Sequence, residues 1–285
     1  MTRSVVVPCL DSLYVKRTLE GLRASGEDVE VLVVGRDSHG LVPRDGSVRF
    51  VETEAQLNPA AARNLGVAEA RGERIFFTDA DCLPLPGWLA GLDAGLERAP
   101  VAGGAVTFSR RGGRWALADN IASFHELLPD RPAERDTRRP LGSLNLACTR
   151  AAWEAVGSFD ETLTTSEAHD WVLRARRAGL ATAFVPEALV EHAGVRGNRA
   201  EVEAHAAWYG AHFHRFRARH PEAFGTGPTW ASRERLARAA PVKAVASALA
   251  IFLRHPRLLT SLHALPGVVA FKRAWYRAVL DAWPE

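Results

Sequence analysis

Residues 74–82 read Arg74-Ile75-Phe76-Phe77-Thr78-Asp79-Ala80-Asp81-Cys82. A short apolar run without polar alternation, ended by a threonine, is the pattern of a strand buried on both faces. Two carboxylates follow at once. In an extended segment residues i and i+2 project to the same side, so Asp79 and Asp81 can share one divalent ion and its ligand. Asp-x-Asp alone is a weak motif, and its place just past a buried strand is what gives it weight.

Similar runs precede it: Val5–Val7 before Pro8, Val29–Val34 and Val48–Val51. Helical stretches fall between them, over residues 13–24 and 59–70. The second opens on Asn58-Pro59, an N-cap followed by proline at the first helical position. Apolar runs alternating with helices predict βαβ units and a mostly parallel central sheet with both faces covered. Ligands of such sheets sit beyond the carboxyl ends of the strands. That directs attention to residues 8–11, 35–38, 58–64 and 79–81. The free amides at the start of the second helix suit an anion such as a diphosphate, with Arg63 and Asn64 one turn further in. Neither a Gly-x-Gly-x-x-Gly nor a P-loop occurs at these turns, which argues against a Rossmann dehydrogenase and a P-loop NTPase.

The 285 residues are 47% hydrophobic and 24% charged, which excludes disordered, collagen-like and coiled-coil chains. That length buries a core without disulfides or a structural metal. Cys9, Cys82 and Cys148 are odd in number and scattered, against a disulfide framework or a zinc site, and a cytoplasmic setting is expected. The opening apolar run is too short for a signal peptide. A continuous apolar stretch of about 18 residues is not found, so no membrane span is expected.

Five stretches, in three groups along the chain, carry a family resemblance. They are Asn58-Pro59-Ala60-Ala61-Ala62-Arg63-Asn64-Leu65-Gly66 with Thr78-Asp79-Ala80-Asp81-Cys82, then Leu144-Asn145 with Val156-Gly157-Ser158-Phe159-Asp160-Glu161, and finally Glu167-Ala168-His169-Asp170-Trp171-Val172-Leu173-Arg174. In this order and spacing, over roughly residues 3–195, the chain resembles the family 2 glycosyltransferases of the GT-A fold. The resemblance implies an inverting transfer of a sugar from a nucleotide-diphosphate donor to a hydroxyl acceptor, with Mn2+ or Mg2+ held by the Asp79/Asp81 motif and Asp81 the direct ligand. His192, after the last strand of the domain, completes the metal site or contacts the diphosphate in relatives. Pro8, Asp11, Asp37, Asn58, Arg63, Asn64 and Asp79 are the expected donor contacts. Gly103-Gly104 and the segment 142–145 shape the pocket.

Two departures stand out. The family's general base usually lies in a Glu-Asp pair, which here reads Glu167-Ala168; Glu167 is the first choice for the base and Asp170 the second, unless Asp170 caps or braces the helix that carries Arg174. The family's Asp-Asp-Gly-Ser after the second strand is Gly35-Arg36-Asp37-Ser38, where Asp37 and Asp11 could serve the nucleoside. These departures keep a second reading open, a non-catalytic nucleotide-sugar-binding relative within a membrane complex. A sugar-nucleotide pyrophosphorylase would need a glycine-rich loop after the first strand, where Pro8-Cys9-Leu10-Asp11 has none.

The remainder reads differently. Val202, Ala206, Tyr209, Phe213 and Phe216 recur at helical spacing. The nearby His205, His212, His214 and His220 lack the spacing of a metal site. From Val242 an apolar pattern is divided by Pro256 and Pro266-Gly267 into three short helices. Residues 229–285 carry nine basic and three acidic residues, net +6, which leaves 1–228 at −3. The expected organisation is a catalytic domain over 1–228 and a basic amphipathic tail over 229–285. The apolar Leu258–Phe271 stretch directs that tail to an anionic membrane surface at the inner face of the cell membrane. The expected role is glycolipid or cell-surface polysaccharide synthesis on a lipid-linked or glycan acceptor. No nucleic-acid module is present.

Overall fold

A computed structural model describes the chain except for residues 25, 27, 110, 136–139, 225 and 285. The elements in chain order are β1 (Arg3–Leu10), α1 (Val15–Ala24), β2 (Glu30–Arg36), β3 (Arg49–Glu52), α2 (Pro59–Glu69), β4 (Arg74–Thr78), β5 (Cys82–Pro84), α3 (Trp88–Leu96), β6 (Val101–Phe108), α4 (Gly113–Phe124), β7 (Glu134–Arg135), β8 (Asn145–Thr149), α5 (Arg150–Val156), α6 (Glu167–Arg177), β9 (Thr182–His192), α7 (Arg199–Arg219), α8 (Arg233–Arg254) and α9 (Leu265–Asp281). Contacts divide them into two compact units, Met1–Thr107 with Glu126–Ala193, and Phe108–His125 with Gly194–Glu285. The division therefore does not fall at residue 228: α4 and α7 go with the C-terminal helices.

The first unit is built on a mixed sheet of order β3-β2-β1-β4-β8-β6-β9-β5, with β7 paired to β9. β3, β2, β1 and β4 are parallel, as the alternation with helices predicts. Parallel pairing ends at β8, which runs antiparallel to both β4 and β6. The apolar run 75–77 is continuous because both faces are covered. Ile75 and Phe77 pack into a cluster with Val67 of α2, Trp153 of α5 and Trp171 of α6, while Phe76 turns to the edge of Trp88 in α3, 6.2 Å away.

Two details set the strand ends. Gly35 has φ +129°, and a Cβ there would lie 2.0 Å from the Cys9 carbonyl oxygen, so β1 and β2 approach too closely at this point for any side chain. Asn145, fully buried in β8, accepts from Trp88 Nε1 (2.8 Å) and donates through Nδ2 to the Ala105 and Ala188 carbonyls (2.8 Å each). Gly104 leaves room for that amide, since a Cβ there would meet it at 2.4 Å. The pocket-shaping segments of the sequence are thus a hydrogen-bonded joint of the sheet.

In the second unit α9 packs against α4, α7 and α8. Gly210 lets α7 and α9 approach, since a Cβ there would lie 2.5 Å from the Trp275 carbonyl oxygen. The three helical pieces expected after Val242 are present with different bounds. α8 begins at Arg233 behind the cap Ser232 and runs through Pro241 for 22 residues, a 3-10 stretch covers Pro256–Ala264, and Pro266 opens α9 rather than breaking it. Among the described residues one helix, α8, is long and apolar enough to cross a bilayer by length and composition, a test that core helices also pass. Much of the tail's apolar surface is packed within the unit: Leu258, Val268 and Phe271 are buried.

Candidate active site

The parallel register puts the carboxyl ends of β1, β2 and β4 side by side, and hydrogen bonds tie their loops together. Ser12 Oγ donates to the Ala80 carbonyl (3.0 Å), and the Ser38 amide donates to Asp11 Oδ1 (2.8 Å). β5 pairs antiparallel with β9 so that Cys82 lies opposite His192, and the Ala193 amide donates to the Asp81 carbonyl (2.8 Å). This register delivers His192 to the Asp-x-Asp loop, with His192 Nε2 3.5 Å from Asp81 Oδ2.

The two carboxylates of the motif have different partners. Asp81, Cys82 and His192 place one ligand atom each within 4.8 Å of one another. Asp79 instead accepts from Arg63 Nη2 (2.5 Å) through Oδ1, so one of its carboxylate oxygens is held by a cation of the chain itself. The Asp81 carboxylate is an oxygen donor of the kind that Mn2+ or Mg2+ takes, and the His192 imidazole beside it suits a transition metal better than Mg2+. The Cys82 thiol is pushed well up by burial and by Asp81 and Asp79, which keeps it protonated. All three cysteines are buried and free.

Arg63, buried in α2, reaches across 104 residues of sequence. Its Nη1 donates to Glu167 Oε1 (2.8 Å), and Ser143 Oγ donates to the same oxygen (3.2 Å). Burial works against the guanidinium's charge, but Asp79 and Glu167 outweigh it and raise its pKa above the ordinary value. Glu167 opens α6 directly after Ser166, whose φ of +65° is left-handed. Asp11 (φ +51°) and Ser166 are the non-glycine residues with positive φ among those described, and both flank this site. Ala168, where the family carries an acid, lies in the apolar cluster with Trp171 and Val172.

Several expected site residues have other work. Asn58 caps α2, accepting from the Ala61 amide (2.9 Å), and donates to the Glu161 carbonyl (2.8 Å). Asn64 donates to the Phe159 carbonyl (2.9 Å) and Glu161 Oε1 (2.8 Å) and accepts from the Phe159 amide (3.0 Å). Their amides fasten the 158–161 loop to α2, and the amide of Ala61, expected to be free for an anion, is capped. Asp170 is buried and accepts from Arg174 Nε (2.8 Å), while Arg174 also donates to the Val156 and Ser158 carbonyls; this is the brace that the sequence left as an alternative. Asp37 accepts from the Val42 amide (2.7 Å) and keeps Oδ1 buried without a partner, so it holds its own loop. Pro8 sits inside β1 opposite Val34.

Arg36, unremarked in the sequence, clamps Asp11 through Nε (3.2 Å) and Nη2 (2.5 Å). Its position in the altered 35–38 turn was the available signal. The Ser38 amide, then Arg36, lower the Asp11 pKa to about 2. A depressed folded-state value means that the clamp's contribution is present above the ordinary 3.8 and is lost as pH falls through about 2. NMR titration is expected to place this carboxyl's midpoint near 2; a midpoint near 3.8 would show the clamp open in solution.

A mixed α/β sheet that gathers carboxylates beyond its parallel strands is the GT-A architecture. Similar solved structures include a mannosyltransferase from Pyrobaculum calidifontis in complex with GDP-Man and Mn2+ (TM-score 0.58, 18% identity, 94% of this chain and 85% of that one). Another is TarS from S. aureus (TM-score 0.51, 15% identity, all of this chain and 56% of that one). At these identities the likeness is one of fold. The chain belongs to glycosyl transferase family 2, whose model matches residues 4–155. It is also 31% identical to the pre-mycofactocin glycosyltransferase of Mycobacterium tuberculosis over 77% of its own length, and spans about half of that relative (48%).

Proposed function

We propose that the chain transfers a sugar, with inversion, from a nucleotide-diphosphate donor to the hydroxyl of a lipid-linked or glycan acceptor, beside an anionic membrane, in glycolipid or cell-surface polysaccharide synthesis. The observation that carries this reading is the Arg63 bridge, which sets the donor-side carboxylate Asp79 and the acid Glu167 one guanidinium apart. Glu167 takes the proton of the acceptor hydroxyl. Its Oε1 holds Arg63 and Ser143, leaving Oε2 for that proton. The brace on Asp170 and the apolar surroundings of Ala168 favour Glu167 over its neighbours.

Asp81 and His192 would hold Mn2+ or Mg2+. Bound there, such an ion supplies charge stabilisation to the leaving diphosphate. Asp79, fixed by Arg63, lies two residues away at the donor side. Asp11 and Arg36, clamped together, replace the family's acidic pair beside the nucleoside, and Asp37 supports their loop. The cytoplasmic face of the membrane fits the three reduced, buried thiols.

The test is a screen of nucleotide sugars, with pre-mycofactocin among the acceptors, read as turnover and as donor binding with and without Mn2+. Asp81→Asn is expected to weaken metal-dependent donor binding at least about 100-fold with melting unchanged, because a direct ligand matters more than the outer partners, whose loss already costs about 10–100-fold. Equal donor affinity in the variant would remove the metal from Asp81. Ala168 and the Gly35-Arg36 turn favour the second reading, a non-catalytic nucleotide-sugar binder; the same screen would then give donor binding without turnover on any acceptor.

A further inference from the structure

α8 has two unlike long faces. Leu236, Ala240, Ala244, Ala248 and Ile251 recur at spacings of four and three and are buried within the second unit, in which α8 packs against α9. On the opposite side Val242, Leu249 and Leu253 fall on one stripe and lie in solvent, Val242 73% and Leu253 79% exposed. The 3-10 stretch that follows, kinked at Ser261, adds Leu259 and Leu262, one on each side of the kink and each about half exposed. Five large aliphatic side chains on two consecutive elements thus lack a covering partner, more than the scattered exposed residues of an ordinary surface.

The charges around this face are of one sign. Arg235 and Arg238 continue the Val242 stripe toward the start of α8, and Arg254 and Arg257 stand at the turn between α8 and the 3-10 stretch, all exposed. Arg235, Arg254 and Arg257 form no ion pair among the described residues. Glu234 is the sole acid in α8 and the 3-10 stretch.

We infer that the exposed face of α8 and the Pro256–Ala264 stretch is a docking surface for an anionic lipid bilayer, with Val242, Leu249, Leu253, Leu259 and Leu262 entering the headgroup–acyl boundary and the arginines meeting lipid phosphates. Charge complementarity selects this occupant: a second copy of the chain would bring the same cations against one another, whereas an anionic surface neutralises them. The helix lies along the membrane rather than across it, because its alanine stripe is buried within the second unit. This deepens the membrane part of the proposed function, rests on that part alone, and names the surface.

The experiment is flotation of the full chain with vesicles of phosphatidylcholine, with and without phosphatidylglycerol, at low and high salt. Binding is expected to the phosphatidylglycerol vesicles and to fall at high salt. The double variant Val242→Glu, Leu253→Glu is expected to lower the bound fraction at least tenfold, with the melting temperature and donor turnover in vesicle-free solution unchanged. Arg254→Glu, Arg257→Glu tests the charge separately and is expected to lose the dependence on phosphatidylglycerol. Undiminished flotation of the Val242/Leu253 variant would overturn the inference. So would a concentration-dependent dimer in size-exclusion chromatography that this variant breaks, which would make a second copy the occupant. Donor turnover is read without vesicles, so failure of the transferase reading registers separately from failure of this one.

Discussion

Arg63→Met is expected to destabilise the first unit by about 3–5 kcal/mol, the usual consequence of removing one partner of a buried ion pair. Arg63 is 3% exposed and donates to Asp79 and Glu167 at once. Methionine fills most of the volume but leaves two carboxylates facing each other without the cation between them. Glu167 accounts for most of the effect, since its side chain is 10% exposed, whereas Asp79, at 31%, recovers water. Arg63→Lys separates charge from geometry: one ammonium keeps the sign but cannot span both acids with two directed donors, so it should fall between the two. Urea unfolding at neutral pH measures all three proteins. A loss under about 1 kcal/mol for Arg63→Met would mean that the bridge contributes no more than an exposed ion pair.

Glu167→Gln is expected to reduce transfer about 100-fold or more while donor affinity stays within a few-fold, because a general base typically contributes about 10²–10⁴. Glutamine keeps a carbonyl oxygen for Arg63 and Ser143, so the network is preserved while proton uptake is lost. Asp170→Asn is the contrast. Its loss falls on the brace to Arg174 and hence on melting temperature, with kcat little changed in the fraction that folds. Single-turnover transfer beside donor binding resolves the two. Full transfer by Glu167→Gln would move the base to another group.

What could be read from the sequence was local. The buried strand 74–78, the cap and proline that start α2, and the carboxylates after β4 are all signals within a few residues of one another. The parallel half of the sheet followed from them. What could not be read depends on distant partners. β8 inserts beside β4 from some 70 residues away, and Asn64 looks like a donor ligand until Phe159 and Glu161, nearly a hundred residues on, take its amide. Asp79 and Asp81 share a motif but not a partner, because Arg63 arrives from one side and His192 from the other. α8 illustrates a different limit: Pro241 would end a helix on local propensity, yet α8 runs on through it to Arg254, with Ala244, Ala248, Ile251 and Phe252 buried beyond it.

Gly35 decides where the 35–38 turn can change. The Cys9 carbonyl oxygen of β1 lies 2.0 Å from where a Cβ at position 35 would stand. The aspartate of the family pattern would meet both that oxygen and an unfavourable φ of +129°, so it fits there only if the strands part. Substitutions that tune this turn are thereby channelled to Asp11, Arg36 and their loop.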